Sequence, residues 1–393
     1  MNAVKRRTGF CILIAALAIM LFFFSTAYLM CMLIALIALA AACGIMIRAD
    51  AKRMELSADA ASGARVGSDA RFDLNVSCRG RLLAAGYITV DIEISNVMFD
   101  KTRHEQFVLP LRDNGEPLKT ALKMEMCGDT RINCVKAQVW DPLGLFSAGC
   151  AAFPETRIMC YPKPADIDLS ISDDVVGVVN TEGLIQNRKG SDPSETFDIR
   201  DYVPGDDIRT IHWKLSSKVG SVIVREASEP SHYDVVLLPD IGLKQDGEEV
   251  SVSELNGAVA VAEELAEELL DQRISFCIAI PGRRGVQIFE VNDKREMQRL
   301  MSLWMSVTVT EESGSGLNVF LSEHMDQHFT RMLIVSGGKY AHDVSGIGKR
   351  IGTTIVSTSD DEEQAVYSVL GPDCDAVVLP SSSKREERYK VVC

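Results

Sequence analysis

A chain of 393 residues is long enough for two or three domains. Its 41 basic and 55 acidic side chains leave a net charge of −14, which argues against a nucleic-acid partner because a phosphate backbone is bound by clustered positive charge. The 11 cysteines, an odd number with no C-x-x-C pair, exclude a zinc or dithiol redox motif and read as reduced, buried thiols of a cytosolic protein.

Chemistry changes sharply along the chain. Gly9 to Ile47 carries no charged residue. As one helix it would be ~58 Å long, about twice the hydrocarbon thickness of a bilayer, so it reads as two spans. The break is expected at Ser25-Thr26-Ala27-Tyr28, with Tyr28 at an interface. Lys5, Arg6 and Arg7 precede the first span, and Arg48, Lys52 and Arg53 follow the second, which places both ends in the cytoplasm. Residues 1–53 are net +5, which leaves −19 for the rest of the chain. The alternative, a cleaved signal peptide, fits the basic start, but the apolar run is too long for one and continues past Cys43.

Residues 54–161 alternate with period two, as in Ile88-Thr89-Val90-Asp91-Ile92-Glu93-Ile94. Strands are expected at Arg71–Val76, Ile88–Ile94, Gln106–Leu111, Leu118–Met126 and Val135–Trp140, which together make an antiparallel β-sandwich. Asp141-Pro142-Leu143-Gly144-Leu145-Phe146 reads as a turn that returns Leu145 and Phe146 to the core. Residues 162–231 combine a linker rich in Pro, Asp, Ser and Gly with a compact motif. The linker holds an apolar patch at Val175–Val179 and a small basic loop at Arg188-Lys189-Gly190-Ser191.

The motif runs from Phe197 to Glu226. Pro204-Gly205 makes a turn, and Asp206 or Asp207 is placed to cap a helix whose apolar face is Ile208, Ile211 and Leu215. Val222-Ile223-Val224 then reads as a strand. Gly190, Phe197, Arg200, Tyr202, Pro204, Gly205, Asp206, Arg209, Ile211, Trp213, Lys218, Arg225 and Glu226 stand at the spacing of the bacterial and archaeal family called domain of unknown function 58, which this stretch resembles. The D-P-x-G-L-F string at residues 141–146 resembles that family too.

Residues 232–393 alternate continuous apolar strands with amphipathic helices, the pattern of a mostly parallel sheet covered on both faces. Strands are expected at Tyr233–Leu238, Ile274–Ile280, Val286–Val291, Met332–Ser336, Thr353–Ser357 and Asp375–Leu379. Helices are expected at Glu254–Leu270, Lys294–Met305, Leu317–His328 and Asp361–Leu370. This arrangement resembles the von Willebrand factor A-type fold. The predicted architecture is therefore multidomain: a transmembrane helical hairpin (1–53), an antiparallel β-sandwich (54–161), a linker and core motif (162–231), and an α/β von Willebrand A-like parallel-sheet domain (232–393).

Two places offer chemistry. Asp240 ends the first strand of the α/β region, where domains of the resembled type open a D-x-S-x-S metal motif. Here Gly242 and Lys244 stand at both serine positions. Glycine supplies no ligand and an ammonium repels a cation, so no metal or other cofactor is expected, and Asp240 becomes a loop contact. In the core motif, Arg200, Asp206, Asp207, Arg209, His212 and Lys214 form a candidate polar cleft. An enzyme there would use His212 as base and Ser216 or Ser217 as nucleophile, a spacing common by chance. A structural reading has Asp206 capping the helix, Arg209 paired with a carboxylate and Trp213 packed between the sandwich and the sheet domain. A recognition reading makes Arg200, Tyr202, Pro204, Gly205, Asp206, Arg209, Trp213, Arg225 and Glu226 a contact face.

No catalytic residue is assigned. The expected function is a non-enzymatic, membrane-anchored interaction or assembly factor. The family resemblance implies a MoxR-type AAA+ ATPase as partner, and the bilayer is engaged through residues 9–47. The alternative is a cell-envelope hydrolase or transferase, which requires the soluble body to lie outside the membrane.

Overall fold

The computed structural model describes residues 3–24, 26–80, 82–83, 86–111, 118–170, 189–201, 211–219, 221–228, 233–282, 285–340, 351–361, 364–371, 374–381 and 389–392. The chain divides into two compact units, Met1–Pro162 with Met305–Thr308 and Lys163–Trp304 with Val309–Cys393.

The first unit begins with two apolar helices, α1 (Ala3–Phe24) and α2 (Ala27–Arg53), with the break where the sequence places it. Both are long and apolar enough to cross a membrane. Phe22, Phe23, Phe24 and Tyr28 are exposed around the break. α2 has 27 residues, or ~40 Å, which exceeds a ~30 Å hydrocarbon core. Its C-terminal end joins the protein core. Ile47 and Ala51 are buried among Phe72, Leu74, Ile88 and Ile92, and the chain passes without a loop into the first strand.

Nine strands follow: β1 (Met54–Ala60), β2 (Gly63–Arg65), β3 (Asp69–Cys78), β4 (Tyr87–Asn96), β5 (Lys101–Pro110), β6 (Leu118–Lys123), β7 (Gly128–Trp140), β8 (Ser147–Gly149) and β9 (Thr156–Tyr161). They form a β1-β3-β6 sheet and a β2-β9-β7-β4-β5 sheet, with β8 added beside β7. All pairings are antiparallel except β2 with β9. Strict alternation along β4 buries Ile88, Val90, Ile92 and Ile94 on one face, as period-two patterning requires.

The second unit holds β10 (Ile167–Ser170), β11 (Lys189–Asp201), α3 (Trp213–Val219), β12 (Ile223–Ser228), β13 (Tyr233–Pro239), β14 (Gly242–Gln245), β15 (Glu248–Glu249), α4 (Val252–Asp271), β16 (Phe276–Gly282), β17 (Gly285–Val291), α5 (Lys294–Trp304), β18 (Thr310–Glu312), α6 (Ser315–Ser322), β19 (Phe329–Gly337), β20 (Gly352–Ser359), β21 (Val366–Gly371), β22 (Cys374–Pro380) and β23 (Tyr389–Val392). Its main sheet has the order β17-β16-β13-β19-β20-β22-β21. The five inner strands are parallel, and β17 and β21 are antiparallel edges. α4 starts with a capping box between Ser251 and Glu254 and buries Leu255, Val259, Ala262, Leu265 and Leu269 at helical spacing.

Several expectations change. Among the described residues of the helix expected at Asp361–Leu370, Val366–Gly371 instead form the antiparallel edge strand β21. Its Val-Tyr-Ser-Val core favours a pleated, half-exposed edge. Ile211 is not helical but bridges Val224, and α3 begins at Trp213. Lys189, Gly190 and Ser191 belong to β11 rather than to a loop. The helix expected at Leu317–His328 is split into α6 and a 3-10 turn, Met325–His328. Near the C-terminus, β23 pairs in parallel with β10. The apolar patch Val175–Val179 lies outside the described residues.

Candidate functional site

The core motif is built on an antiparallel ribbon. β11 pairs β12 with Arg200 opposite Val224, Ile199 opposite Arg225 and Asp198 opposite Glu226. Tyr202, Pro204, Gly205, Asp206, Asp207 and Arg209 lie outside the described residues, as do the side chains of Arg200, Arg225 and Glu226. After them the chain returns as the Ile211 bridge and α3.

The ends of this short helix are stitched to the ribbon by the two residues that an enzyme reading would use. The Leu215 N–H donates to His212 Nδ1 (3.3 Å), so the imidazole caps the first turn. The Ile223 N–H donates to Ser216 Oγ (2.9 Å), and that hydroxyl donates to the His212 carbonyl (3.0 Å). The His212 N–H in turn reaches the Ile223 carbonyl at 2.8 Å. Ser216 therefore closes a backbone circuit between α3 and β12, with its hydroxyl engaged by the His212 carbonyl and the Ile223 main chain. Ser217 Oγ donates to the Lys214 carbonyl (3.1 Å) in the same fashion. Trp213, expected between two domains, is 64% exposed on the first turn of α3, with Lys214 also exposed.

The second place lies at the carboxyl ends of the parallel strands. β13 is flanked by β16 on one side and β19 on the other, so the connections run in opposite directions from it, and this is where open α/β sheets form a crevice. Asp240 follows β13 directly and is fully buried. Its carboxylate accepts the Gly316 N–H (3.1 Å) and the Leu317 N–H (3.3 Å) from the first turn of α6, and the Tyr340 hydroxyl (3.3 Å). A negative charge at two free N–H groups of a helix start suits both the hydrogen bonds and the dipole. Burial, reinforced by the Asp240 charge and hydrogen bond, pushes the Tyr340 phenol far above its ordinary range, so it stays a donor.

Gly242 and Lys244, the two replacements in the metal pattern, have structural tasks. A Cβ on Gly242 would lie 2.1 Å from the Ser313 backbone nitrogen, because β14 runs in parallel against β18 here. Lys244 Nζ pairs with Glu311 at 2.9 Å in the same small sheet. No group of three or more His, Cys, Asp or Glu side chains is gathered for a metal among the described residues.

A polar junction beside this crevice was not read from the sequence. Ser251, Ser253 and Ser381 gather around Asp360, which follows β20, while Ser381 follows β22. The Asp360 N–H also donates to Glu254 (3.1 Å), and Thr358 donates to the Glu254 carbonyl (2.7 Å). Burial works to raise the Asp360 carboxyl, but hydrogen bonds from Ser251, Ser381 and Ser253 outweigh it and hold the group below its ordinary range. The Ser251-Val252-Ser253-Glu254 string was the available signal, since S-x-x-E marks a capping box; the remote partners Asp360 and Ser381 gave none. The described cysteines are free thiols, and burial pushes Cys150 up to about 11 and Cys160 and Cys277 up to about 12, away from thiolate reactivity.

Comparison with known families selects the ribbon, α3 and the strand leading to Asp240. Residues 198–270 match the family model described as Protein of unknown function DUF58. The DUF58 match begins inside β11 and ends in the last turn of α4, and it supports the resemblance carried by Arg200 to Glu226. No curated protein matches the chain. Among solved structures, the CARDB domain of a Pyrococcus furiosus protein, solved with di-metal ions, is 13% identical, with 28% of this chain and 94% of that one covered and a TM-score of 0.21. A cohesin module from a Clostridium perfringens family 33 glycoside hydrolase is 12% identical, with 28% and 97% covered and a TM-score of 0.20. Likenesses of that size carry no functional argument.

Proposed function

We propose that the chain is a membrane-anchored, non-enzymatic protein-interaction or assembly factor, held in the bilayer through residues 9–47 with both soluble units in the cytoplasm. The observation that carries this reading is Trp213, a tryptophan left 64% exposed on a helix whose neighbouring polar groups are already engaged with backbone. Exposed tryptophan and arginine are the side chains that most often anchor protein interfaces, and Arg209 belongs to the same motif. The engagement of His212, Ser216 and Asp240 in holding helix ends supports a binding role over a catalytic one. The second unit, with five parallel strands and Asp240 at the crevice, is consistent with a von Willebrand A-like module, a class usually used to bind proteins. The family resemblance supplies the partner, a MoxR-type AAA+ ATPase.

Orientation follows from charge. Arg6 and Arg7 at the start of α1 and Arg53 at the end of α2 all lie at the sandwich end of the helices, and a bias of basic residues marks the cytoplasmic side. Affinity purification of the tagged full chain from native membranes is expected to recover the ATPase, and Trp213→Ala to reduce recovery at least tenfold. Equal recovery by Trp213→Ala, or none by the parent, overturns the reading. A reporter fused after Cys393 that is active only outside the cytoplasm would instead favour the envelope hydrolase or transferase.

A further inference from the structure

The end of the sandwich that meets the helices is held to them by four separate contacts. The Arg7 Nε donates to the Leu145 carbonyl (2.7 Å), and its guanidinium lies 5.8 Å from the centre of the Trp140 ring. Trp140 stacks on Tyr87, whose hydroxyl accepts from Arg6 at 3.4 Å. On the other helix, Asp50 is fully buried and accepts the Leu83 N–H, while the Phe146 ring lies 3.7 Å from where a side chain on Gly44 would begin. Asp141, also fully buried, fixes the 141–146 loop by accepting the Leu143 and Phe146 N–H groups.

Gly44 lies inside the uncharged run 9–47, so Phe146 reaches past the last apolar turn of α2. Two loops near the sandwich end of the helices each present an exposed leucine, Leu83 (49%) beside Asp50 and Leu143 (46%) in the loop that carries Phe146. Lys5, Arg48 and Lys52 are exposed on the helix ends beside them, in a chain that is otherwise strongly acidic. One exposed leucine means nothing, since apolar side chains are scattered over every surface. Two on separate loops, at the mouth of two apolar helices and flanked by the basic cluster, match the chemistry of a membrane-surface contact.

We infer that this rim of the sandwich rests on the bilayer, with Leu83 and Leu143 entering the headgroup–acyl boundary and Lys5, Arg48 and Lys52 facing anionic phosphates. The inference rests on the membrane reading above and adds a second contact to it, made by the soluble unit. It makes the sandwich a fixed platform on the membrane surface rather than a domain swinging on a tether.

Full-length chain in liposomes carrying bromine-labelled lipids tests this. Leu83→Trp and Leu143→Trp are each expected to add emission that the brominated acyl chains quench at least twofold. Thr102→Trp, opposite Ser95 and about 27 Å along β4 from Tyr87, is expected to add unquenched emission. Quenching is expected to be stronger in brominated phosphatidylglycerol than in brominated phosphatidylcholine. A chain that resists carbonate extraction while neither new tryptophan is quenched overturns the rim contact and leaves the spans standing. Equal quenching in the two lipids overturns the role given to the basic side chains. Extraction of the chain by carbonate overturns the membrane reading itself.

Discussion

Replacing Asp240 by alanine should loosen one identifiable piece of the second unit, the start of α6. The carboxylate accepts two helix N–H groups at 3.1 and 3.3 Å and the Tyr340 hydroxyl at 3.3 Å. Bonds to a charged acceptor contribute about 1.5–3 kcal/mol each, and these are long, so the lower end applies. The helix-dipole contribution adds about 0.5 kcal/mol. Asp240→Ala should therefore cost about 3–5 kcal/mol, with three donors left without their carboxylate. Asp240→Asn keeps one acceptor and should cost about half as much, and Tyr340→Phe about 1 kcal/mol. A chain of several units does not unfold in one step, so amide hydrogen exchange of a peptide covering 315–322 is the appropriate assay. At tenfold per 1.4 kcal/mol, the alanine variant should lose on the order of several hundredfold in protection. Protection within threefold of the parent would refute the cap and reopen Asp240 as a ligand for something else.

Three further outcomes follow from the same geometry. Glu264 on α4 has its carboxyl raised to about 7 by burial and by Glu267, Glu268, Asp166 and Glu263. A folded value above the unfolded one means that its stabilising contribution is complete below pH about 4.5 and is lost as pH rises through about 7; solvent screening of this half-exposed group reduces the effect to about 1–2 kcal/mol. Glu264→Gln should flatten the urea midpoint between about pH 5 and 8. Ser216→Ala removes the acceptor of the Ile223 N–H and should cost about 1–2 kcal/mol, read as faster exchange at that amide. Gly242→Ser, which restores part of the metal pattern, should destabilise the chain by about 3 kcal/mol or more, because its Cβ would meet backbone at 2.1 Å; soluble expression at parental level would contradict this.

The sequence exposes what depends on local pattern. The break between the helices, the alternation along β4 and the apolar face of α4 are all set by neighbours within a few residues, and all three are found close to where they were expected. Errors occur where distant pairing outweighs local spacing. Ile208, Ile211 and Leu215 have helical spacing, but Ile211 pairs with Val224 across the ribbon. Val366 and Val369 also have helical spacing, but their stretch is rich in β-branched and aromatic residues, and β22 takes it as an edge partner. β10 and β23 lie more than 200 residues apart in sequence, which no local pattern announces.

The candidate site was legible in the same uneven way. Asp240 stood out because it ends the first apolar strand, yet its partners on α6 come 76 and 77 residues later, so its role as a helix cap could not be read from its neighbours. His212 and Ser216 invited a catalytic pairing by spacing alone, and the backbone of β12 takes up the hydroxyl instead. Trp213 was read as an inter-domain wedge, and its side chain is exposed on α3.

The central claim is that the motif around Trp213 is where another protein binds. A photo-crosslinking amino acid placed at position 213 of the full-length chain, activated in native membranes, tests it most directly. The account predicts a single dominant adduct containing an AAA+ ATPase, formed at 213 and not at Thr102. Irradiation that yields no protein adduct at 213, from a chain that remains membrane-bound and folded, would contradict it.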